Sequence, residues 1–177
     1  MSLFDTGERI LLDKETPLMI SRHLCAYRFA KYFVFNKRVL DIGSGEGYGS
    51  NYLAEFAKEV VGIDYDKTII DYSKDKYKRD NLLFRPVDIN DLGTLNDEFE
   101  AVCAFQVIEH IVNAKEFLNN VRKLLKDNGM FICSTPNRQD ASPHSEVPFN
   151  KFHVKEYLSD DFSELLKMHF KKVEMHL

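Results

Sequence analysis

The chain has 177 residues, 44% of them hydrophobic, and a formal net charge of -4. That length suits one domain around a single core, and the charge offers no general attraction to nucleic acid. No apolar run approaches the ~20 residues that span a bilayer, and charges interrupt the opening MSLFDTGERILLDKE too early for a secretion signal. Cys25, Cys103 and Cys133 are widely spaced and odd in number. That usage fits a reducing cytoplasm better than a disulfide framework or a zinc site.

Taken in chain order, an opening helix is expected at roughly Leu18–Phe35. Short runs rich in branched residues follow at Arg38–Ile42, Val60–Asp64, Leu82–Asp88, Phe99–Gln106 and Met130–Thr135. These read as buried parallel strands, and Lys171–Leu177 reads as a sixth. Helical stripes lie between them. One is Tyr48–Lys58, with Tyr52, Leu53, Phe56 and Ala57 on one face. Another is Ala114–Leu125, with Phe117, Leu118, Val121, Leu124 and Leu125, which Asp127-Asn128-Gly129 is expected to stop. A third is Lys155–Phe170. The basic run KDKYKRD, Lys74–Asp80, reads as a solvated helix end, with an anion-binding patch as the alternative. Strand and helix in alternation predict an α/β, Rossmann-like, doubly wound and mostly parallel sheet with helices on both faces. No repeat or linker divides residues 1–177, which read as a single domain. The irregular stretch Pro136–Phe152 is long enough to suggest a functional loop.

The first strand runs into VLDIGSGEGYGS, with Gly43, Gly45, Gly47 and Gly49 at alternate positions. Glycine permits a sharp turn and lets a ligand rest against bare amides, to which the next helix adds its own N–H groups. A dinucleotide loop reads G-x-G-x-x-G, but here Tyr48 stands where the third glycine belongs. Glu46 places negative charge in the loop, and Asp41 adds a carboxylate two residues ahead of Gly43. An acidic, glycine-rich loop suits a cationic ligand such as an ammonium or a sulfonium. Asp64 ends the second strand about twenty residues on, where a carboxylate can accept both hydroxyls of a ribose. Asp88 ends the third and could accept from an exocyclic amine. Each aspartate alone could be a turn residue or a cap. Three at successive strand ends point to a nucleoside.

These residues resemble the class I S-adenosylmethionine-dependent methyltransferases. VLDIGSGEGYGS is similar to their first motif and VVGIDYD to the second. EFEAVCAFQVIEHI resembles the fourth-strand motif ending in Glu-His, and VRKLLKDNGMFICSTPNR the helix and strand after it. STPN and KFHVKEYLSDDFSELL resemble the branch with ubiquinone-pathway O-methyltransferases and methyltransferases of bacterial glycan clusters. The resemblance implies that Gly43, Ser44, Gly45, Gly47 and Tyr48 line the methionine part of S-adenosylmethionine, with Asp41 orienting its ammonium. It implies that Asp64 holds the ribose, that Tyr65 stacks near the adenine, that Asp88 and Ile89 meet its amino edge, and that Gln106 lies under the sulfonium. It also implies that residues 1–36 form a helical cap. Relatives often carry Arg-Tyr where this chain has Ala26-Tyr27, a departure that argues against a carboxylate clamp from this helix, for which Arg22 or Arg28 could substitute. The family's sheet has seven strands, and the sequence accounts for six. An uncovered edge predicts a homo-oligomer, which a monomeric mass by light scattering at micromolar concentration would contradict.

Methyl transfer to oxygen requires alignment and the loss of a proton. His110, which follows the fourth strand, is the candidate base, and a structural role at a helix start is the alternative. His144 and His153 read as solvated or capping residues. A metal site from His144, Glu146 and His153 is disfavoured by loop spacing, so no metal ligand is assigned. The expected activity is O-methylation of a small-molecule or sugar acceptor, with no membrane or nucleic-acid partner. An NAD-binding oxidoreductase and a weakly active cofactor-binding partner module are the competing readings.

Overall fold

Residues 17–176 are described by the structure, a computed structural model of the chain. Helix α1 (Pro17–Val34) leads into β1 (Arg38–Ile42), α2 (Tyr48–Leu53), β2 (Glu59–Asp64), α3 (Lys67–Lys76) and β3 (Leu82–Pro86). Then come β4 (Phe99–Phe105), α4 (Ala114–Leu124), β5 (Leu125–Ser134), α5 (Arg138–Ala141) and α6 (Ser159–Lys167). Short 3-10 turns, Ile89–Thr94 and Ile108–His110, follow β3 and β4. The strands pair in parallel in the order β3-β2-β1-β4-β5. The order reverses between β1 and β4, which opens a crevice beyond the carboxyl ends of those two strands.

Side chains alternate between the faces of a strand. In β1, Leu40 and Ile42 join Val102, Leu118, Val121, Phe162 and Leu166 in the core beneath α4 and α6. Val39 joins Tyr27, Ala30, Leu53, Ile69 and Ile70 on the opposite face, beneath α1, α2 and α3. Burying each large apolar side chain contributes ~1.5–3 kcal/mol. Covering both faces therefore explains why the strands read as continuous apolar runs. The same alternation turns Asp41 toward α1 and α2. Among the described residues, no helix is long and apolar enough to cross a membrane.

Three expectations are corrected. Residues 171–176 form no strand. Only Val173 of that segment packs against the core, too little burial to hold a sixth strand in place. The described residues therefore carry five strands, all parallel. Helix α6 starts at Ser159, not Lys155. The chain before it is held elsewhere, because the amides of Val154 and Lys155 donate to the Glu109 carbonyl at 2.7 and 3.1 Å and Arg138 N–H donates to Tyr157 O at 2.9 Å. Asp127-Asn128-Gly129 does not terminate α4. The helix passes directly into β5, and the three residues form an irregularity within that strand, opposite Phe99 and Ala101. The left-handed residue there is Asn128, at φ 62, rather than Gly129.

Candidate functional site

Strand β1 carries the glycine loop to the mouth of the crevice. Gly43, Gly45 and Gly47 have φ of 71, 53 and 86, in the region that glycine adopts without strain. Gly43 and Gly47 are also hemmed in. A Cβ at Gly43 would lie 2.7 Å from Val107 Cγ2, and one at Gly47 would lie 2.7 Å from Phe84 Cζ. Gly45 differs, because a Cβ there would meet nothing within 4 Å. Open space therefore borders its backbone. Asp64, at the end of β2, stands beside that space, its Oδ2 accepting from Gly45 N–H at 3.1 Å and its Oδ1 from Asp66 N–H at 3.0 Å. Ser44 N–H donates to Ile63 O at 2.9 Å, while the buried Ser44 hydroxyl has no hydrogen-bond partner among the described residues.

Asp41 lies below the loop, fully buried. Its carboxylate accepts from Ser50 Oγ at 2.6 Å and from Tyr27 OH at 3.3 Å. Burial pushes its carboxyl up to about 7, against the pull of those two donors. An unfolded aspartate titrates near ~3.9, so the folded chain holds this proton more tightly. The linked stabilisation is complete below about pH 4 and is lost as pH rises toward 7. Asp41→Asn should remove that loss. Urea midpoints at pH 5 and pH 8 are expected to fall more for the unaltered chain than for the variant, and equal falls would contradict the assignment.

Glu46 requires a correction. It is buried and its Oε1 pairs with Lys76 Nζ of α3 at 3.0 Å. Its charge is thus neutralised away from the crevice and is no argument against a pyrophosphate. The departure at Tyr48 from the dinucleotide glycine pattern remains. Lys76 belongs to the basic run read as a solvated helix end, and the pair explains one of that run's charges. Tyr48 opens α2, with its ring edge-on to Tyr27 at 5.8 Å.

The remaining candidates surround the same mouth. Tyr65, after β2, is exposed. Asp88 is exposed beyond β3 and caps the following turn, accepting from Asn90 N–H at 2.8 Å, and half-buried Ile89 opens that turn. Gln106 directly follows β4 at φ 56, a strained conformation for a residue with a side chain. Two bonds to Ser134 of β5 hold it, one from its N–H at 2.9 Å and one from Nε2 to Oγ at 3.2 Å. Helix α1 reaches the loop through Tyr27. Arg28 is exposed, and the Arg22 side chain lies outside the described residues.

His110 stands at the end of the turn after β4, with Nδ1 3.0 Å from Phe152 O. Its ring meets that of His153 edge-on at 5.0 Å. Glu109 is fully buried, and burial raises its carboxyl to about 7. One ligand atom from each of Glu109, His110 and His153 lies within 4.8 Å of the others. His144 and Glu146 are exposed and outside this group. The sequence reading missed Tyr27, Ser50 and Lys76 as partners of the loop, and missed the meeting of Glu109 with His153. Only Ser50, which ends the glycine motif, had a local signal.

The comparisons with known proteins point to one family. A family profile described as a methyltransferase domain matches residues 40–133, more than half of the chain. A protein of Mycolicibacterium smegmatis named Probable S-adenosylmethionine-dependent methyltransferase is 32% identical over 163 residues, covering 92% of this chain and 63% of the relative. The chain thus spans less than two thirds of that relative's length. The Ubiquinone biosynthesis O-methyltransferase of Cereibacter sphaeroides is 33% identical over 107 residues, 59% of this chain and 43% of that protein. Among solved structures, a complex between the Haloferax volcanii Trm112 methyltransferase activator and a methyltransferase matches with a TM-score of 0.72 at 18% identity. It covers 85% of this chain and 69% of that one, a likeness of fold.

Proposed function

We propose, from the premise that this chain belongs to the S-adenosylmethionine-dependent methyltransferases, that it methylates a small-molecule or sugar acceptor at oxygen. The observation that carries this reading is the open space against Gly45 with Asp64 at its border. The space fits a nucleoside, because a side chain at Gly45 would fill it and a carboxylate there can accept ribose hydroxyls. S-adenosylmethionine supplies a methyl group already activated on a sulfonium. The protein's task is then to orient the reactants and manage one proton.

The main chain of Gly43, Ser44, Gly45 and Gly47 cradles the methionine end, with Tyr48 as its wall, and Gly45 also borders the nucleoside. Asp64 holds the ribose and Tyr65 covers the adenine, whose amino edge meets Asp88 and Ile89. Gln106, fixed by Ser134, lies at the sulfonium end. Asp41 acts from below, through Tyr27 and Ser50. Oxygen as the acceptor atom is supported by the similarity to the ubiquinone biosynthesis O-methyltransferase over the shared segment.

His110 takes the acceptor's proton, a role that contributes ~10²–10⁴-fold in general acid–base catalysis. His110→Ala should lower turnover at least tenfold, by the lower bound of that range, while calorimetry finds cofactor affinity retained. An unchanged rate removes His110 from the mechanism. The oxidoreductase reading makes the opposite prediction for the cleft, namely that reduced nicotinamide binds and its fluorescence changes.

A further inference from the structure

We infer that Tyr27 is a positioning residue of the cofactor site: carried in by α1, its hydroxyl holds the Asp41 carboxylate beneath the glycine loop. The fourth glycine of the motif is the first observation. Gly43, Gly45 and Gly47 are at positive φ, but Gly49 is not. It lies inside α2, where glycine is a poorer helix former than alanine. No turn requires it there. The Tyr27 ring does, because a Cβ at Gly49 would fall on Cζ, Cε1 and Cε2 of that ring. The hydroxyl end of Tyr27 therefore lies against the main chain just past the loop. The ring is also edge-on to Phe105 at 4.8 Å, the last residue of β4, and to Tyr48 at 5.8 Å. Tyr27 thus joins α1 to both walls of the crevice.

Phenylalanine would meet the packing alone, so the hydroxyl is the second observation. It is buried with the rest of Tyr27 and faces both oxygens of Asp41, Oδ2 at 3.3 Å and Oδ1 at 3.4 Å. Ser50 Oγ donates to Oδ2 at 2.6 Å. The short bond from α2 fixes one oxygen. The longer contact from α1 is shared by the pair and sets how the carboxylate turns about it. Donors from two helices thus grip an acceptor on β1.

The other titratable groups facing Asp41 are Asp64 at the end of β2, Tyr48 of α2 and Cys103 of β4. Burial pushes the Tyr27 and Tyr48 hydroxyls and the Cys103 thiol up, so all three keep their protons at neutral pH. Tyr27 is therefore a donor throughout that range. Burial and the charge of Asp64 favour a protonated Asp41, while Ser50 and Tyr27 favour the carboxylate. Because Asp41 titrates at about 7, losing either donor changes its charge under ordinary conditions.

For what Asp41 does to a ligand, the inference rests on the functional reading. Ionised, Asp41 places a negative charge under the loop and favours the ammonium of the cofactor's methionine end. Protonated, it does not. Without the Tyr27 hydroxyl, the carboxylate forms only at higher pH. Helix α1 thereby sets the charge beneath the cofactor through one oxygen atom.

The test uses Tyr27→Phe, which keeps the ring and removes the hydroxyl. Its first reading needs no cofactor. A folded carboxyl held still more tightly to its proton loses more stabilisation as pH rises. Between pH 5 and pH 8 the urea midpoint of Tyr27→Phe should therefore fall further than that of the unaltered chain. In an Asp41→Asn background, adding Tyr27→Phe should leave the fall unchanged. Equal falls in Tyr27→Phe and the unaltered chain overturn the contact. The second reading is calorimetry with S-adenosylhomocysteine. At pH 7 the variant should bind roughly 2–10-fold more weakly, the loss of one hydrogen bond, and the deficit should shrink as pH rises. Unaltered affinity, or a deficit equal at every pH, overturns the positioning role. In the unaltered protein labelled at tyrosine Cζ, the Tyr27 carbon signal should titrate with Asp41 at about pH 7. That signal decides the contact even where a variant does not fold, and its failure to titrate overturns it. If the unaltered protein binds S-adenosylhomocysteine at no pH, the functional reading falls, and the urea comparison and the tyrosine signal alone decide the contact.

Discussion

Asp64→Ala is expected to weaken the binding of S-adenosylmethionine by roughly 10–100-fold, the loss of one or two charge-assisted hydrogen bonds at ~1.5–3 kcal/mol each. Asp64 is nearly buried and both its oxygens already accept backbone N–H groups, from Gly45 and from Asp66. It thus fixes the shape of the glycine turn, and in the proposed complex its remaining lone pairs receive the ribose. Asp64→Asn separates the two tasks. Its amide oxygen can still accept one backbone bond, so the turn is largely kept, but the charge is gone. It should bind the cofactor more weakly than the unaltered protein and more tightly than Asp64→Ala. Calorimetric titration reads all three, and unaltered affinity in Asp64→Ala would remove the ribose assignment.

Gly49→Ala is expected to destabilise the fold itself. A Cβ built at Gly49 falls onto the ring of Tyr27. That ring cannot move aside. It is buried, edge-on to Phe105 at 4.8 Å and to Tyr48 at 5.8 Å, with its hydroxyl aimed at Asp41. Overpacking of this kind typically costs ~1–3 kcal/mol. For a domain of this length each kcal/mol lowers the melting midpoint by about 2–4 °C. Adding Tyr27→Leu should recover part of the loss by clearing the space. Gly45→Ala is the contrast, since its Cβ enters open space. Its φ of 53 adds modest strain, yet the larger effect should be on cofactor binding. A melting midpoint for Gly49→Ala equal to that of the unaltered chain would contradict the close packing of α1 on the loop.

The parts of this protein legible in sequence are those whose signal is local. The strands β1, β2 and β4 declare themselves because both faces of the sheet are covered there, so most of their residues are apolar, whereas β3, at the edge, buries only Leu82 and Phe84. The glycine turn declares itself because three positions need positive φ within five residues. Asp64 is legible through its place at the end of β2, a fixed distance from that turn. Contacts between distant segments are not legible. Nothing near Glu46 announces Lys76, 30 positions away. Nothing near Asp41 announces Tyr27 on a helix that precedes it. The meeting of Glu109 and His153 depends on how the loop from Pro136 folds back, which the backbone bonds to the Glu109 carbonyl decide. The misread C-terminal strand has a related cause. Val173, Met175 and Leu177 alternate with Glu174 and His176 as in a strand, but a strand also needs another strand beside it, and among the described residues the sheet ends without one there.

The charge on Glu46 illustrates the difference between a residue type and its environment. In sequence it made the glycine loop acidic. In the folded chain it is buried against Lys76, and the acidic groups that remain near the nucleoside space are Asp64 at its border and Asp41 beneath. The preference for a cationic ligand therefore rests on fewer charges than the sequence suggested.

The central claim is that a nucleoside lies against Gly45 with its ribose on Asp64. A crystal structure of this chain grown with saturating S-adenosylhomocysteine tests it most directly. The account predicts density over Gly45, with the ribose hydroxyls within hydrogen-bond distance of Asp64 and the homocysteine end running toward Gln106. Density for that compound at any other place on the chain, with the space at Gly45 left vacant, would contradict it.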